Sequence, residues 1–160
     1  MQNLHATCVA LDEPETGKAG AYGLLLRGPS GAGKSDLALR MIAQGAKLVA
    51  DDQVMLQPAA DGLHAAAPAA LRDIIEIRGI GLVRMPALDH AMVTLLIDLV
   101  PPESVPRLPD PAHETLCGIT LPLVRLEAFS AAAALKALQA LRLAKSGLLF
   151  RPAPGIRPLA

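Results

Sequence analysis

Gly28-Pro-Ser-Gly-Ala-Gly-Lys34-Ser35 is the stretch on which the reading of this 160-residue chain turns. It fits G-x-x-x-x-G-K-[ST], the spacing of a phosphate-binding loop. The loop of Gly28, Pro29, Ser30, Gly31, Ala32 and Gly33 lets backbone N–H groups curl round an anion without Cβ clashes. Lys34 adds a mobile positive charge for β and γ oxygens, and the Ser35 hydroxyl is of the type that ligates Mg²⁺. The flanks supply the required context. Tyr22–Arg27 is a compact apolar run and predicts a buried strand. Ser35–Gln44 carries Leu37, Ala38, Met41 and Ile42 at helical spacing, with Gly45 as its stop. Strand, glycine loop and amphipathic helix together point to an α/β domain that binds a nucleotide or polyphosphate. The loop alone does not say which reaction follows.

Outward from the loop, Leu4–Leu11, Lys47–Ala50, Ile74–Arg78 and Met92–Val100 read as further strands. The reading also gives a polar turn over Asp12–Gly20 and a loop over Gln57–Ala70. Pro101–Pro111, with five prolines in eleven residues, reads as a surface loop or flap. Ser130 predicts a capped helix over Ala131–Lys145, with Leu135, Leu138 and Leu141 on one side and Gly147 as its stop. Strands alternating with helices predict a central β-sheet with flanking helices. The chain divides into one domain over 1–150 and a loose tail over 151–160.

Composition narrows the function classes. Lys+Arg and Asp+Glu are both 15, a formal net charge of zero, which argues against a nucleic-acid coat or a polybasic membrane binder. The chain is 52% hydrophobic but 2% aromatic, with no Trp, one Tyr and two Phe, so the core must be built from Ala, Leu, Val and Ile. Base stacking on single-stranded nucleic acid is disfavoured for the same reason. Two cysteines are too few for a disulfide-stapled secreted domain, and the start MQNLHATCVALDEPE lacks the basic region of a signal peptide. With no run long enough to span a membrane, the expectation is a cytoplasmic protein. His5-x2-Cys8 and His113-x3-Cys117 have zinc-like spacings, but no further Cys reinforces either, and buried thiols are the plainer reading.

A phosphoryl-transfer site also needs carboxylates. Thr94-Leu-Leu-Ile-Asp98 has the apolar run followed by Asp of an ordinary metal-side strand. Leu48-Val-Ala-Asp51-Asp52 places two acids at the carboxyl end of the strand after the loop helix. Both positions suit an open α/β sheet, and adjacent residues point to opposite sides, so at most one of Asp51 and Asp52 faces the phosphate directly. In Ile74-Ile-Glu76-Ile-Arg78-Gly79-Ile-Gly81, Glu76 and Arg78 share a strand face, either as a structural ion pair or as site residues.

Three segments together, GPSGAGKSDLAL, QGAKLVADDQV and IIEIRGIGLV, resemble the catalytic domain of HPr kinase/phosphorylase. HATCVALD resembles the histidine segment that precedes the family's phosphate loop, and the similarity covers roughly residues 4–100 in order. The resemblance implies a P-loop fold similar to phosphoenolpyruvate carboxykinase. It implies phosphorylation of a serine of an HPr-type phosphocarrier from ATP or pyrophosphate, with Mg²⁺, and its reversal by phosphorolysis. Complete members form hexamers, so it also implies a homo-oligomer.

On matching positions, Lys34 would hold phosphates, Ser35 and Glu76 would hold Mg²⁺, and Asp52 would take the serine proton, with Asp51 as second choice. His5 matches a position near the reacting phosphate, Arg78 belongs to the matched strand, and Arg107 aligns with a downstream family arginine. Two departures stand out. The family's long N-terminal regulatory region has no counterpart before the loop at residue 28. Its arginine–glycine–arginine element, tied to dephosphorylation, has only Arg125 in the matching stretch Pro122–Phe129, which favours kinase over phosphorylase activity. Two other readings remain: a small-molecule P-loop kinase using Asp98, and a non-catalytic ATP-sensing module.

Overall fold

The phosphate loop joins an interior strand of a strongly curled sheet to the first helix. The structure, a computed structural model, describes residues 1–13 and 20–151. The middle of the predicted polar turn and nearly all of the predicted tail lie outside these residues. The strands are β1 (Gln2–His5), β2 (Thr7–Leu11), β3 (Tyr22–Arg27), β4 (Lys47–Ala50), β5 (Gln53–Ala59), β6 (Gly62–Ala66), β7 (Ile74–Ile77), β8 (Gly81–Arg84), β9 (Ala91–Leu99), β10 (His113–Leu116) and β11 (Ile119–Leu126). The helices are α1 (Lys34–Ala43) and α2 (Ala133–Lys145). No helix among the described residues is long and apolar enough to cross a membrane.

The main sheet runs β1-β5-β6-β9-β3-β2-β4, with β11 parallel to the far half of β9 and β10 paired to β11, while β7 and β8 form a separate hairpin. Strand β3 lies parallel to β9 and antiparallel to β2. The connections explain the curl. Only Ala6 separates β1 from β2, and only Asp51 and Asp52 separate β4 from β5, yet each pair belongs to opposite ends of the sheet order. Links this short hold the two ends together, since a residue spans at most about 3.6 Å.

Strand alternation then serves two cores. Leu24 and Leu26 of β3, with Leu95 and Ile97 of β9, face α1 and α2, where Leu37, Met41, Leu138 and Leu141 complete the first cluster. Leu25 and Leu96 point the other way, into a second cluster closed by Val54, Leu56, Leu63, Leu121 and Leu123. Both described helices therefore cover one face, and strands cover the other. Ala6, Ala10, Ala50, Ala65 and Ala91 line that second core, which is how a chain so poor in aromatics fills the inside of a curl. Cys8 is among them, and burial pushes its thiol up to about 12, which leaves it unreactive.

Several expected elements take another form. The predicted strand Leu4–Leu11 is broken at Ala6, where the chain changes partners from β5 to β3 and β4. Most of the predicted loop Gln57–Ala70 belongs instead to the β5–β6 hairpin. Pro58 is tolerated there because it lies beyond the stretch Gln53–Leu56 that pairs with β1. The β10–β11 hairpin was not foreseen, although Cys117 (φ 50°) and Gly118 (φ 80°) form the two-residue, positive-φ turn that such hairpins favour. Helix α2 begins after Ala132 without a side-chain cap, so Ser130 is not its N-cap. Its buried face is Ala133, Ala134, Ala137, Leu138 and Leu141, while Leu135 is exposed.

Candidate active site

Gly33 fixes the entry to α1. Its φ of 95° is left-handed, and a Cβ there would lie 2.8 Å from the Ala128 Cβ and 2.9 Å from the Phe129 Cζ, so no larger residue fits. The Leu37 N–H donates to the Gly33 carbonyl at 2.8 Å, and the first-turn amides of α1 open onto the concave loop. Lys34 is buried and donates from Nζ to the carbonyls of Gly28 (2.7 Å) and Pro29 (3.1 Å), which spans the loop from its first residue to its last. Burial lowers the Lys34 pKa, opposed by the charges of Asp51 and Asp52.

Asp51 organises the floor. Thr7 Oγ1 and Ser35 Oγ each donate to its Oδ1 at 2.8 Å, and the Glu76 N–H donates to Oδ2 at 2.9 Å. One buried carboxylate thus ties β2, α1 and β7 together, and both of its oxygens are used. Its neighbour does the opposite. Asp52 sits at φ 67°, a left-handed conformation that Asp tolerates better than most residues, and the kink turns its side chain outward. There it is 60% exposed, with His5 Nδ1 3.3 Å from its Oδ1 and 3.0 Å from its carbonyl oxygen. The sequence left Asp51 and Asp52 as alternatives. The geometry makes Asp52 the accessible carboxylate and Asp51 the brace.

A cavity of about 270 Å³ gathers these groups. His5, Thr7, Ser30, Gly31, Gly33, Lys34, Ser35, Asp51, Asp52, Glu76 and Arg78 all line it, together with Asp36, Leu39, Ile77 and Phe129. Eight of the candidate residues named from sequence outside Gly28–Ala32 and Arg107 therefore meet in one place, including His5 from the far end of the chain. Arg107 does not line the cavity and lies exposed in the proline-rich loop. Thr7 and Phe129 were missed. Nothing in the local sequence marks Thr7, whereas Phe129 carried a faint signal as one of only two phenylalanines.

Asp98 is placed elsewhere. It accepts from Arg27 Nε at 2.8 Å, and the same guanidinium makes a paired contact with both oxygens of Glu114 at 2.6 and 2.7 Å. The Glu114 hydrogen bonds raise the Arg27 pKa further above its already high value, and Arg27 in turn lowers that of Glu114. This cluster clamps the strand end before the phosphate loop to β9 and β10. Asp98 does not line the cavity, which removes the structural basis for using it as the metal-side acid.

The donor set suits a hard divalent cation bound through oxygen. Ser35 spends its hydroxyl proton on Asp51, which leaves its lone pairs for a cation, and the Glu76 carboxylate lines the same cavity. Among the described residues no cluster of three or more His, Cys, Asp or Glu could hold a metal unaided. Mg²⁺ binds through one or two protein ligands plus phosphates and water, and Ser35 and Glu76 would supply that number.

Comparison with known proteins places the chain in a family. The family described as HPr Serine kinase C-terminal domain matches residues 18–101, more than half of the chain. HPr kinase/phosphorylase of Geobacillus thermodenitrificans is 40% identical over 85 residues, covering 48% of this chain and 28% of the relative. The enzyme of that name from Bordetella pertussis is 48% identical over 61 residues, covering 38% of this chain and 20% of the relative. The aligned part of the chain thus spans about a quarter of the length of such relatives, 27% in the Exiguobacterium sp. protein. Among solved structures, the Hpr(Ser) kinase/phosphatase from Coxiella burnetii superposes with a TM-score of 0.76 at 28% identity, covering 92% of this chain and 94% of that one. The α/β fold is therefore that of this group, and the chain belongs to the HPr serine kinase C-terminal domain family.

Proposed function

We propose that the protein is an ATP-dependent serine kinase whose acceptor is HPr or a related phosphocarrier. The observation that carries this reading is the convergence, in one cavity, of a phosphate loop and an exposed carboxylate held beside a histidine. The Gly28–Ser35 amides and Lys34 bind and orient the triphosphate. Ser35 and Glu76 hold Mg²⁺, which when bound neutralises charge on the phosphate oxygens. Asp52 accepts the proton of the acceptor hydroxyl as that oxygen attacks the γ-phosphorus in line with the leaving diphosphate. His5 holds the Asp52 carboxylate in place, and Arg78 adds positive charge to the same cavity. The reaction belongs in the cytoplasm, where ATP and phosphocarriers meet. The reverse reaction with inorganic phosphate would use the same groups, with Asp52 returning the proton.

Incubation with labelled ATP, Mg²⁺ and HPr-type carriers tests the reading by its product, acid-stable phosphoserine. Asn tolerates the left-handed backbone at position 52, so Asp52→Asn removes the carboxylate without straining the turn. We expect it to lower transfer by at least about 100-fold, the contribution of a general base, and Asp98→Asn to retain transfer. Transfer that survives Asp52→Asn would rule out the assigned base. Nucleotide binding with no transfer to any carrier would favour an ATP-sensing module.

A further inference from the structure

Phe129 is 65% exposed in a chain that has only two phenylalanines and no tryptophan. It is not a loose surface residue. Both oxygens of the Glu127 carboxylate accept backbone N–H groups, one from Phe129 and the other from Ser130 at 2.8 Å. From the other side, Arg40 of α1 donates to the carbonyls of Ala128 and Ser130. The backbone on which the ring is mounted is therefore pinned on both flanks. The ring meets the phosphate loop through edge atoms, Cζ and Cε1, which lie 2.9 and 3.1 Å from where a Gly33 Cβ would stand. That contact uses the edge of a residue that is otherwise largely exposed, and Phe129 lines the same cavity as Ser35, Asp36 and Leu39 of the first turns of α1.

We propose that Phe129 is the platform on which the base of a nucleoside triphosphate stacks, with Leu39 as the apolar neighbour on α1. The inference rests on the phosphate-loop reading above and extends it from the phosphates to the base. Three observations carry it: an exposed aromatic, a backbone fixed before any ligand arrives, and contact with the loop that anchors the phosphates. A pre-ordered ring loses little freedom on binding, so stacking on it translates efficiently into affinity. Stacking tolerates any base because every base presents a π-face, so the site would prefer nucleotides to inorganic polyphosphate while discriminating weakly among bases.

The test is affinity for Mg-ATP against Mg-tripolyphosphate, measured by calorimetry on the full chain. Phe129→Ala is expected to weaken ATP by about tenfold, the lower end of what a stacked base loses, and to leave tripolyphosphate within about twofold. Phe129→Leu keeps an apolar contact with Gly33 but removes the π-face, and it should behave like Phe129→Ala toward ATP. Phe129→Trp should restore ATP binding. Unchanged ATP affinity in Phe129→Ala, or an equal loss for both ligands, would overturn the platform. Intact ATP binding with a raised KM for the protein acceptor would also overturn it, in favour of acceptor contact. Failure of the unmodified protein to bind either ligand would instead sink the phosphate-loop reading itself.

Discussion

Ser35 donates its hydroxyl proton to Asp51, and the direction of that bond decides what Ser35 can do. A serine that donates inward turns lone pairs outward, toward a cation. All three partners of Asp51 are donors in this arrangement, and only a carboxylate accepts on both oxygens. In Asp51→Asn the amide would flip to keep its oxygen on the Glu76 N–H, and its NH₂ would then donate to Ser35 and Thr7. Both hydroxyls can rotate to accept, so the stability loss is expected to be about 1 kcal/mol. Ser35 would then point its proton at the cavity, and Mg²⁺-dependent nucleotide affinity should fall about tenfold. Thermal melts and metal titrations of the variant check the two halves separately. At this scale the sequence was most informative for Lys34 and Ser35, which lie in a motif whose spacing is itself chemical, whereas Asp52 and Glu76 took their expected roles from the family resemblance. What it could not separate was Asp51 from Asp52, since that depends on a single left-handed residue. Thr7 was invisible because a threonine in a strand looks the same whether or not an acid lies across from it.

Helix α2 shows what periodicity alone leaves open. Leu135, Leu138 and Leu141 share a spacing of three, yet the buried stripe runs through Ala134, Ala137, Leu138 and Leu141 and leaves Leu135 in solvent. Alanines define that stripe because α2 approaches α1 and the sheet closely, and an alanine-rich helix shows little hydrophobic contrast by which to phase its faces. Leu141→Ala should cost about 2–5 kcal/mol through the cavity it leaves, whereas Leu135→Ala should stay within about 0.5 kcal/mol. Urea denaturation of the two variants reads the difference directly. Hairpins were the other blind spot. β5, β6 and β10 carry Ala, Pro, Gln, His or Glu rather than β-branched runs, and they are strands because their partners are. The strands next to the phosphate loop were legible for the opposite reason: β3 and β9 are mostly buried and read as predominantly apolar runs.

For the whole molecule, the charge balance is neutral but not featureless. Arg27 holds Glu114 below the ordinary glutamate range, and Arg142, with help from the Tyr22 hydroxyl, does the same for Glu13. A carboxylate whose folded pKa is lowered contributes stability that is fully present above its unfolded value, here near 4.5, and is lost as pH falls through the folded value. The melting temperature should therefore drop on acidification below about pH 4.5. Glu114→Gln should lower it at neutral pH and flatten the acid limb. The effect should be modest, about 1 kcal/mol or less, because Glu114 is 38% exposed and solvent screens the pair. A melting series from pH 7 to pH 3 measures both features.

The two short links that join the ends of the sheet are also where the chemistry sits: His5 and Thr7 flank one, Ala6, and Asp51 and Asp52 are the other. A strip closed in this way has its working parts in the clasp. Opening the clasp would separate the histidine and both acids from the phosphate loop while α1 and α2 stayed docked on the opposite face. Catalytic competence would then report closure of the ring rather than survival of the fold. Activity should vanish at a lower urea concentration than helical ellipticity does, and an inactivation curve that coincides with the ellipticity curve would show that the clasp opens only when everything else does.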